Sequence, residues 1–225
     1  MRSWSSILLG CCLALSCHAA PVESGLKGWY EACCSQYSDI YEHVPVLKEL
    51  AKECSSVVEI GVRSMVSTSG ILYGLSLSKA DAPYYLGIDL VLPPQNIYNA
   101  AKRFAKNSGV EFHFALANDM DMDIDPVDML FIDSLHTYAH LTYELEKFSP
   151  KVKKYIAMHD TSPPWGYQDD SSYHGDYAEY PAHINRVKKG LWPAVTDFLS
   201  THPEWTLLER KENNHGFTVL KRMEP

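Results

Sequence analysis

Val127-Asp-Met-Leu-Phe-Ile-Asp133-Ser-Leu-His136-Thr-Tyr-Ala-His140 decides the fold. Residues 129–132 are an apolar run too short for a buried helix and bounded by polar residues, which reads as a buried central strand. The strand delivers Asp133 at its C-terminal end, and His136 follows in the turn or in the first turn of a helix. Open parallel α/β sheets bind ligands at the carboxyl ends of their strands. A carboxylate and an imidazole therefore arrive together where such a fold does chemistry. The competing role for Asp133 is to cap the helix that follows.

Outward from this stretch, the same alternation repeats. Upstream, 56–60, 84–88 and 110–115 read as strands, the second running into Asp89, with helices over 68–78 and 94–106 between them. Downstream, 137–148 reads as helix and 154–158 as a fifth strand ending in His159-Asp160. Residues 191–200 are a helix. The strands 205–209 and 216–220 are joined through Asn213-Asn214, a turn pair that makes them antiparallel. Two helices, 25–37 and 39–54, lead in. Strands alternating with helices give an α/β fold, a Rossmann-like three-layer αβα sandwich on a mostly parallel sheet. Residues 161–189 carry Pro163, Pro164, Trp165, Tyr167, Tyr173 and Tyr177 without a period. A long aromatic segment of that kind reads as a lid.

The chain has 225 residues, 46% hydrophobic and 21% charged, which suits one globular domain over 21–225. A formal charge of −8 without a Lys/Arg stripe argues against nucleic acid as a partner. Residues 1–20 stand apart: Arg2 is their only charge, an apolar core runs over 7–15, and Cys17-His18-Ala19-Ala20 is a small-residue exit. This reads as a signal peptide cut near Ala19, placing the protein in the secretory or export pathway. Cleavage at Cys11 as a lipoprotein ranks second. No later segment is long and apolar enough for an integral membrane span. Cys33, Cys34 and Cys54 remain in the mature chain. They read as three buried thiols, with a bridge from one of the pair to Cys54 as the alternative.

Glu59 and Gly61 end the first strand, and glycine lets backbone approach a ligand closely. Arg63, Ser64, Ser67 and Thr68 then place donors at a helix N-terminus, suited to a carboxylate or phosphate. Asp89 ends the second strand, where an acid can accept bonds from ribose hydroxyls. No G-x-G-x-x-G fingerprint is present, which weakens a nicotinamide dinucleotide reading.

Taken together, Val57-Val58-Glu59-Ile60-Gly61, Leu86-Gly87-Ile88-Asp89, Asp128-Met-Leu-Phe-Ile-Asp133 with His136-Thr137-Tyr138, and Met158-His159-Asp160-Thr161 resemble the class I S-adenosylmethionine-dependent methyltransferases. The nearest subgroup is that of metal-dependent sugar and antibiotic O-methyltransferases, including cephalosporin-hydroxylase-like proteins. The resemblance implies that Glu59 and Gly61 line the methionine and ribose side of S-adenosylmethionine, and that Ser67 and Thr68 hold its carboxylate. It implies that Asp89 binds the ribose, that Asn118 or its neighbours flank the adenine, and that Asp133 borders the cofactor as well. It makes Asp133 and Asp160 the ligands of a metal, Mg²⁺, and His136 the general base. Two departures stand. Arg63 and Met65 replace glycines that usually follow Gly61, and His159 and Thr161 stand where a second acid often adjoins the last metal ligand.

The residue types fit O-methylation of a small hydroxylated acceptor such as a sugar. Mg²⁺ prefers oxygen ligands and can lower the pKa of a chelated hydroxyl, and an imidazole can take the proton. Two other classes compete. His136, His140 and Glu144 fall at i, i+4, i+8 and could form the zinc triad of a hydrolase, but position 137 is Thr where H-E-x-x-H needs Glu. The export leader motivates a secreted non-catalytic binding protein on the same fold.

Overall fold

The computed structural model describes residues 25–172 and 180–223. The leader at 1–20, and Tyr173, His174 and Tyr177 of the lid segment, lie outside them. Strands β1 (Ser56–Ile60), β2 (Tyr84–Asp89), β3 (Glu111–Leu116), β4 (Val127–Ile132), β5 (Val152–His159), β6 (Trp205–Lys211) and β7 (Phe217–Arg222) form one sheet in the order β3-β2-β1-β4-β5-β7-β6. The first five are parallel, and β7 inserts antiparallel between β5 and β6. The helices are α1 (Gly25–Ser35), α2 (Val44–Lys52), α3 (Val66–Ser76), α4 (Gln95–Asn107), α5 (Tyr138–Phe148) and α6 (Leu191–Thr201).

Every residue of β4 is buried, because helices cover both of its faces. Alternate side chains point to opposite sides. Met129 and Phe131 join the core under α1–α4, while Leu130 and Ile132 join the core under α5 and α6. The same split runs through Val57 and Val58 of β1 and through Ala157 and Ile156 of β5. That is the three-layer sandwich the alternation of elements implies.

Helix α2 starts at Val44 rather than near 39, with Pro45 in its first turn. Proline lacks the N–H that a longer helix would need there and is tolerated only in a first turn. Residues 38–43 are thereby released into a loop that carries Asp39 and Ile40 to the residues just past the end of β1. Helix α3 packs on α2 almost backbone to backbone. A Cβ on Gly70 would lie 2.7 Å from the Val44 carbonyl oxygen, and one on Gly74 would lie 2.3 Å from that of Lys48. Cys33 and Cys54 are buried thiols, and Cys34 is a half-buried one. No disulfide joins them. Among the described residues, no helix is long and apolar enough to cross a membrane.

Candidate active site

The sheet reverses direction of winding between β1 and β4, which lie side by side with β2 and β5 outside them. At such a switch point the loops from neighbouring strands diverge and leave a crevice. Here it is a cleft of about 770 Å³, lined by residues 60–64, 66–67, 88–92, 117–120 and 133–136, together with Asp39, Ile40, Pro94, His140 and Asp160.

Gly61 opens the first wall. Its φ is +83°, and a Cβ there would lie 1.9 Å from the Asp133 carbonyl oxygen, so only glycine lets β1 leave beside β4. Two residues with side chains turn left-handed beyond Gly61: φ is 43° at Arg63 and 63° at Met65. That conformation is uncommon for residues with side chains, and at Arg63 two acids brace the turn. Asp89 Oδ2 accepts from the backbone N–H groups of Val62 at 2.7 Å and Arg63 at 2.8 Å. The Arg63 guanidinium pairs with both oxygens of Asp39, at 2.6 and 2.7 Å. Asp89 Oδ1 also accepts from Val91 N–H at 2.9 Å. Of about four lone-pair positions on a carboxylate, three are thus filled by the protein and one is left for a ligand.

Glu59 and Thr68 do not line the cleft. Both are fully buried behind it. The Glu59 carboxylate accepts from the hydroxyls of Ser67, of Thr68 at 2.7 Å and of Tyr85 at 2.5 Å. Burial pushes its pKa up to about 7 against the opposing pull of those hydroxyls. Its effect on a ligand passes through Ser67, which does line the cleft, as does Gly61. Asn118 is on the wall, and its Oδ1 accepts from Met120 N–H at 3.0 Å, fixing the loop after β3.

The opposite wall gathers two acids and an imidazole from the ends of β4 and β5, with a second imidazole buried behind it. Asp133 follows β4, Asp160 follows β5 with φ of 57°, His136 stands in the turn before α5, and His159 ends β5. His136 Nε2 is 3.0 Å from Asp160 Oδ2 and 3.6 Å from Asp133 Oδ1. His159 Nδ1 is 3.1 Å from Asp160 Oδ2 and 3.4 Å from Asp133 Oδ1. The β6–β7 turn aims His159: its Nε2–H donates to the Asn214 carbonyl at 3.1 Å, which leaves Nδ1 facing the acids. The same turn brings His215 Nδ1 to 3.8 Å from Asp160. Trp165 stacks on the His136 ring at 5.9 Å.

Burial opposes charge on Asp133, His136, His159 and Asp160, but their mutual attraction wins. His136 is lifted to about 10 by Asp133 and Asp160, and His159 is raised well above its ordinary range by the same pair. Asp133 and Asp160 are both lowered. His159 Nδ1 and His136 Nε2 are buried without a hydrogen bond of good geometry. Two carboxylates and an imidazole nitrogen, Asp133, His159 and Asp160, converge closely enough to ligate one cation. The donor set fits a divalent metal, and its nitrogen widens the choice from Mg²⁺ toward Mn²⁺ or Zn²⁺.

The structure divides the helical series His136, His140, Glu144. His136 turns to Asp133 and Asp160, whereas His140 and Glu144 turn to Asp119. The helix cap is Thr137, whose Oγ1 accepts from His140 N–H at 3.2 Å, so Asp133 is not needed as a cap. Of the lid aromatics, Trp165 packs on the core beneath α6, and Tyr167 is half exposed at 50% with its hydroxyl accepting from Arg210. His183 pairs with Glu146 at the surface.

No protein-family model matches the chain, and no curated protein matches it in sequence. Solved structures match it in fold. Cofactor-bound Rv0187 from MTB superposes with a TM-score of 0.57 at 14% identity over 94% of each chain. The SAH-bound methyltransferase PaMTH1 from Podospora anserina does so at 0.54 and 14% over 88% of each. An O-methyltransferase from Bacillus cereus in complex with SAH gives 0.53 and 14% over 88% of this chain and 90% of that one. The chain is therefore built on the Rossmann-like fold of the class I S-adenosylmethionine-dependent methyltransferases.

Proposed function

We propose that the protein is an S-adenosylmethionine-dependent O-methyltransferase acting, with a divalent metal, on a small acceptor with neighbouring hydroxyls such as a sugar or polyol. One observation carries the reading: a single cleft joins the 61–67 turn and Asp89 to the cluster of Asp133, His136 and Asp160. The first half suits the cofactor. The N-terminus of α3 presents unpaired N–H groups to a carboxylate, with Ser67 beside them. The remaining lone pair of Asp89 suits one ribose hydroxyl. Asn118 and Met120 flank the space an adenine would take.

The second half suits a hydroxyl that must lose its proton. Asp133, His159 and Asp160 would hold the cation, which supplies Lewis acidity toward an acceptor oxygen. His136 is an imidazolium near neutral pH while the charge of both acids is uncompensated. It can accept a proton at Nε2 once that charge is offset, and Trp165 holds its ring in place. Positioning acceptor and methyl group in line supplies much of the remaining acceleration.

The test has two arms. Calorimetry with S-adenosylmethionine and S-adenosylhomocysteine should show binding to the wild type. Asp89→Asn should weaken it roughly 10- to 150-fold, the loss of one charged hydrogen bond at about 1.5–3 kcal/mol. Methyl transfer to a panel of sugars and polyols should require a divalent metal and stop with chelator. His136→Ala should lose about 10²–10⁴-fold in rate, with the defect shrinking as pH rises. No binding of either cofactor form would end the methyltransferase reading. Chelator-resistant turnover with His136→Ala as active as wild type would end the metal-and-base mechanism alone.

A further inference from the structure

Asp119, His140 and Glu144 form a second cluster that shares no residue with the first. His140 Nε2 is 3.3 Å from Asp119 Oδ2 and 3.7 Å from Glu144 Oε1. All three residues are more than nine-tenths buried, Glu144 completely. Asp119 Oδ2, His140 Nε2 and Glu144 Oε2 have no hydrogen-bond partner among the described residues. Folded proteins pair the large majority of buried polar atoms, so three atoms without a well-formed hydrogen bond on adjoining buried residues point to a ligand between them.

The surroundings specify its kind. His140 Nδ1 lies 2.7 Å from the Tyr180 hydroxyl. A ring N–H donated there leaves Nε2 bare toward the two acids, the arrangement that metal-ligating histidines use. Ser134 Oγ donates to Glu144 Oε1 at 2.7 Å, orienting that carboxylate. Lys147 Nζ donates to the Asp119 and Met120 carbonyls at 2.8 and 2.6 Å, which pins the loop bearing Asp119. Two carboxylates and a neutral imidazole carry −2, which a divalent ion balances. Zinc bonds of about 2.0–2.2 Å give tetrahedral edges of roughly 3.3–3.6 Å, close to the separations seen. Without a cation, burial and then the Asp119 charge push Glu144 up to about 8.

We propose that Asp119, His140 and Glu144 bind a zinc ion, beside the cleft that Asp119 and His140 line and apart from the Asp133–His159–Asp160 site. The rival is a metal-free cluster, an imidazolium shared between the two acids. This inference does not depend on the methyltransferase reading, because its readouts are metal content and spectrum rather than turnover.

The full chain carrying Asp133→Asn and Asp160→Asn, which weakens the first site, is stripped with chelator and titrated with Zn²⁺ under equilibrium dialysis and elemental analysis. It should retain one tight equivalent. Co²⁺ in its place should give the intense visible absorption of a four-coordinate site. Tyr180→Phe in that background should weaken Zn²⁺ roughly 10- to 100-fold, and Glu144→Gln should abolish the equivalent. A double variant that takes up no tight Zn²⁺ overturns the site, as does uptake unchanged by both Tyr180→Phe and Glu144→Gln. Should Glu144→Gln fail to fold, the Tyr180→Phe titration decides by itself: a weakened equivalent supports the site and an undiminished one overturns it.

Discussion

Glu59 shows how little of a residue's role its type reveals. An acid at the end of the first strand invites a direct ligand contact, yet three hydroxyls from α3 and β2 enclose it behind the cleft wall. What it does instead is measurable. Its folded pKa is raised to about 7 from the ordinary 4.5. An acid raised on folding binds its proton more tightly in the native state, so the protein loses stability as pH rises from about 4.5 to about 7. Glu59→Gln cannot ionise and should lack that loss. Between pH 4 and pH 8, wild-type unfolding free energy should fall relative to the variant's by on the order of 3 kcal/mol. Denaturant melts of both proteins at the two pH values give the number, and parallel curves would mean that Glu59 ionises normally. His159 is the opposite case. Beside Asp160 in sequence it carries no mark of a shared site, and only the β6–β7 turn, through the Asn214 carbonyl, reveals that it aims a nitrogen at the same place.

Within one element, position along the strand separates scaffold from chemistry. Strand β4 has an acid near each end. Asp128, at the start, is buried and accepts from Ser55 N–H at 2.7 Å, Ser55 Oγ at 2.9 Å and Lys154 at 3.1 Å, tying the lower edges of β1, β4 and β5. Asp133, just past the end, faces the cleft. Asp128→Ala should destabilise by about 1–3 kcal/mol, since it removes the charged hydrogen bonds that a buried carboxylate makes to Ser55 and Lys154. Asp133→Asn should leave the melting temperature of metal-free protein above that of Asp128→Ala. Thermal unfolding of both variants settles the order, and equal losses would make Asp133 structural. The strands were legible because apolar runs between turn residues have no competing reading in a buried parallel sheet. Helix α2 was less so: its apolar side continues the pattern back past Pro45, and periodicity alone does not register the missing N–H. The clustering of His140 with Asp119 was not legible, because it joins α5 to the loop after β3 across 21 positions of sequence.

At the scale of the whole molecule, the fold draws a boundary that the leader must respect. Helix α1 is part of the core: Leu26, Trp29 and Cys33 are buried, and the Trp29 ring lies 5.9 Å from that of Phe104 in α4. A cut near Ala19 leaves all three in place, whereas a cut after Ser35 removes them. We propose export through the leader, and it carries a paired prediction. Expressed with its own N-terminus in a secreting host, the protein should mature to a start near Ala20, read by intact mass. A chain begun at Ala20 should melt with the full-length protein. A chain begun at Gln36 should lose several kcal/mol, because burying a single large apolar side chain is worth roughly 1.5–3 kcal/mol and the vacated surface of α3 and α4 would meet water. A secreted product that retains Met1 would sink the leader assignment, and a Gln36 chain as stable as its parent would remove α1 from the core. The two outcomes are separable, since processing reads the first 20 residues as a targeting signal while the melt reads only what packs against α4.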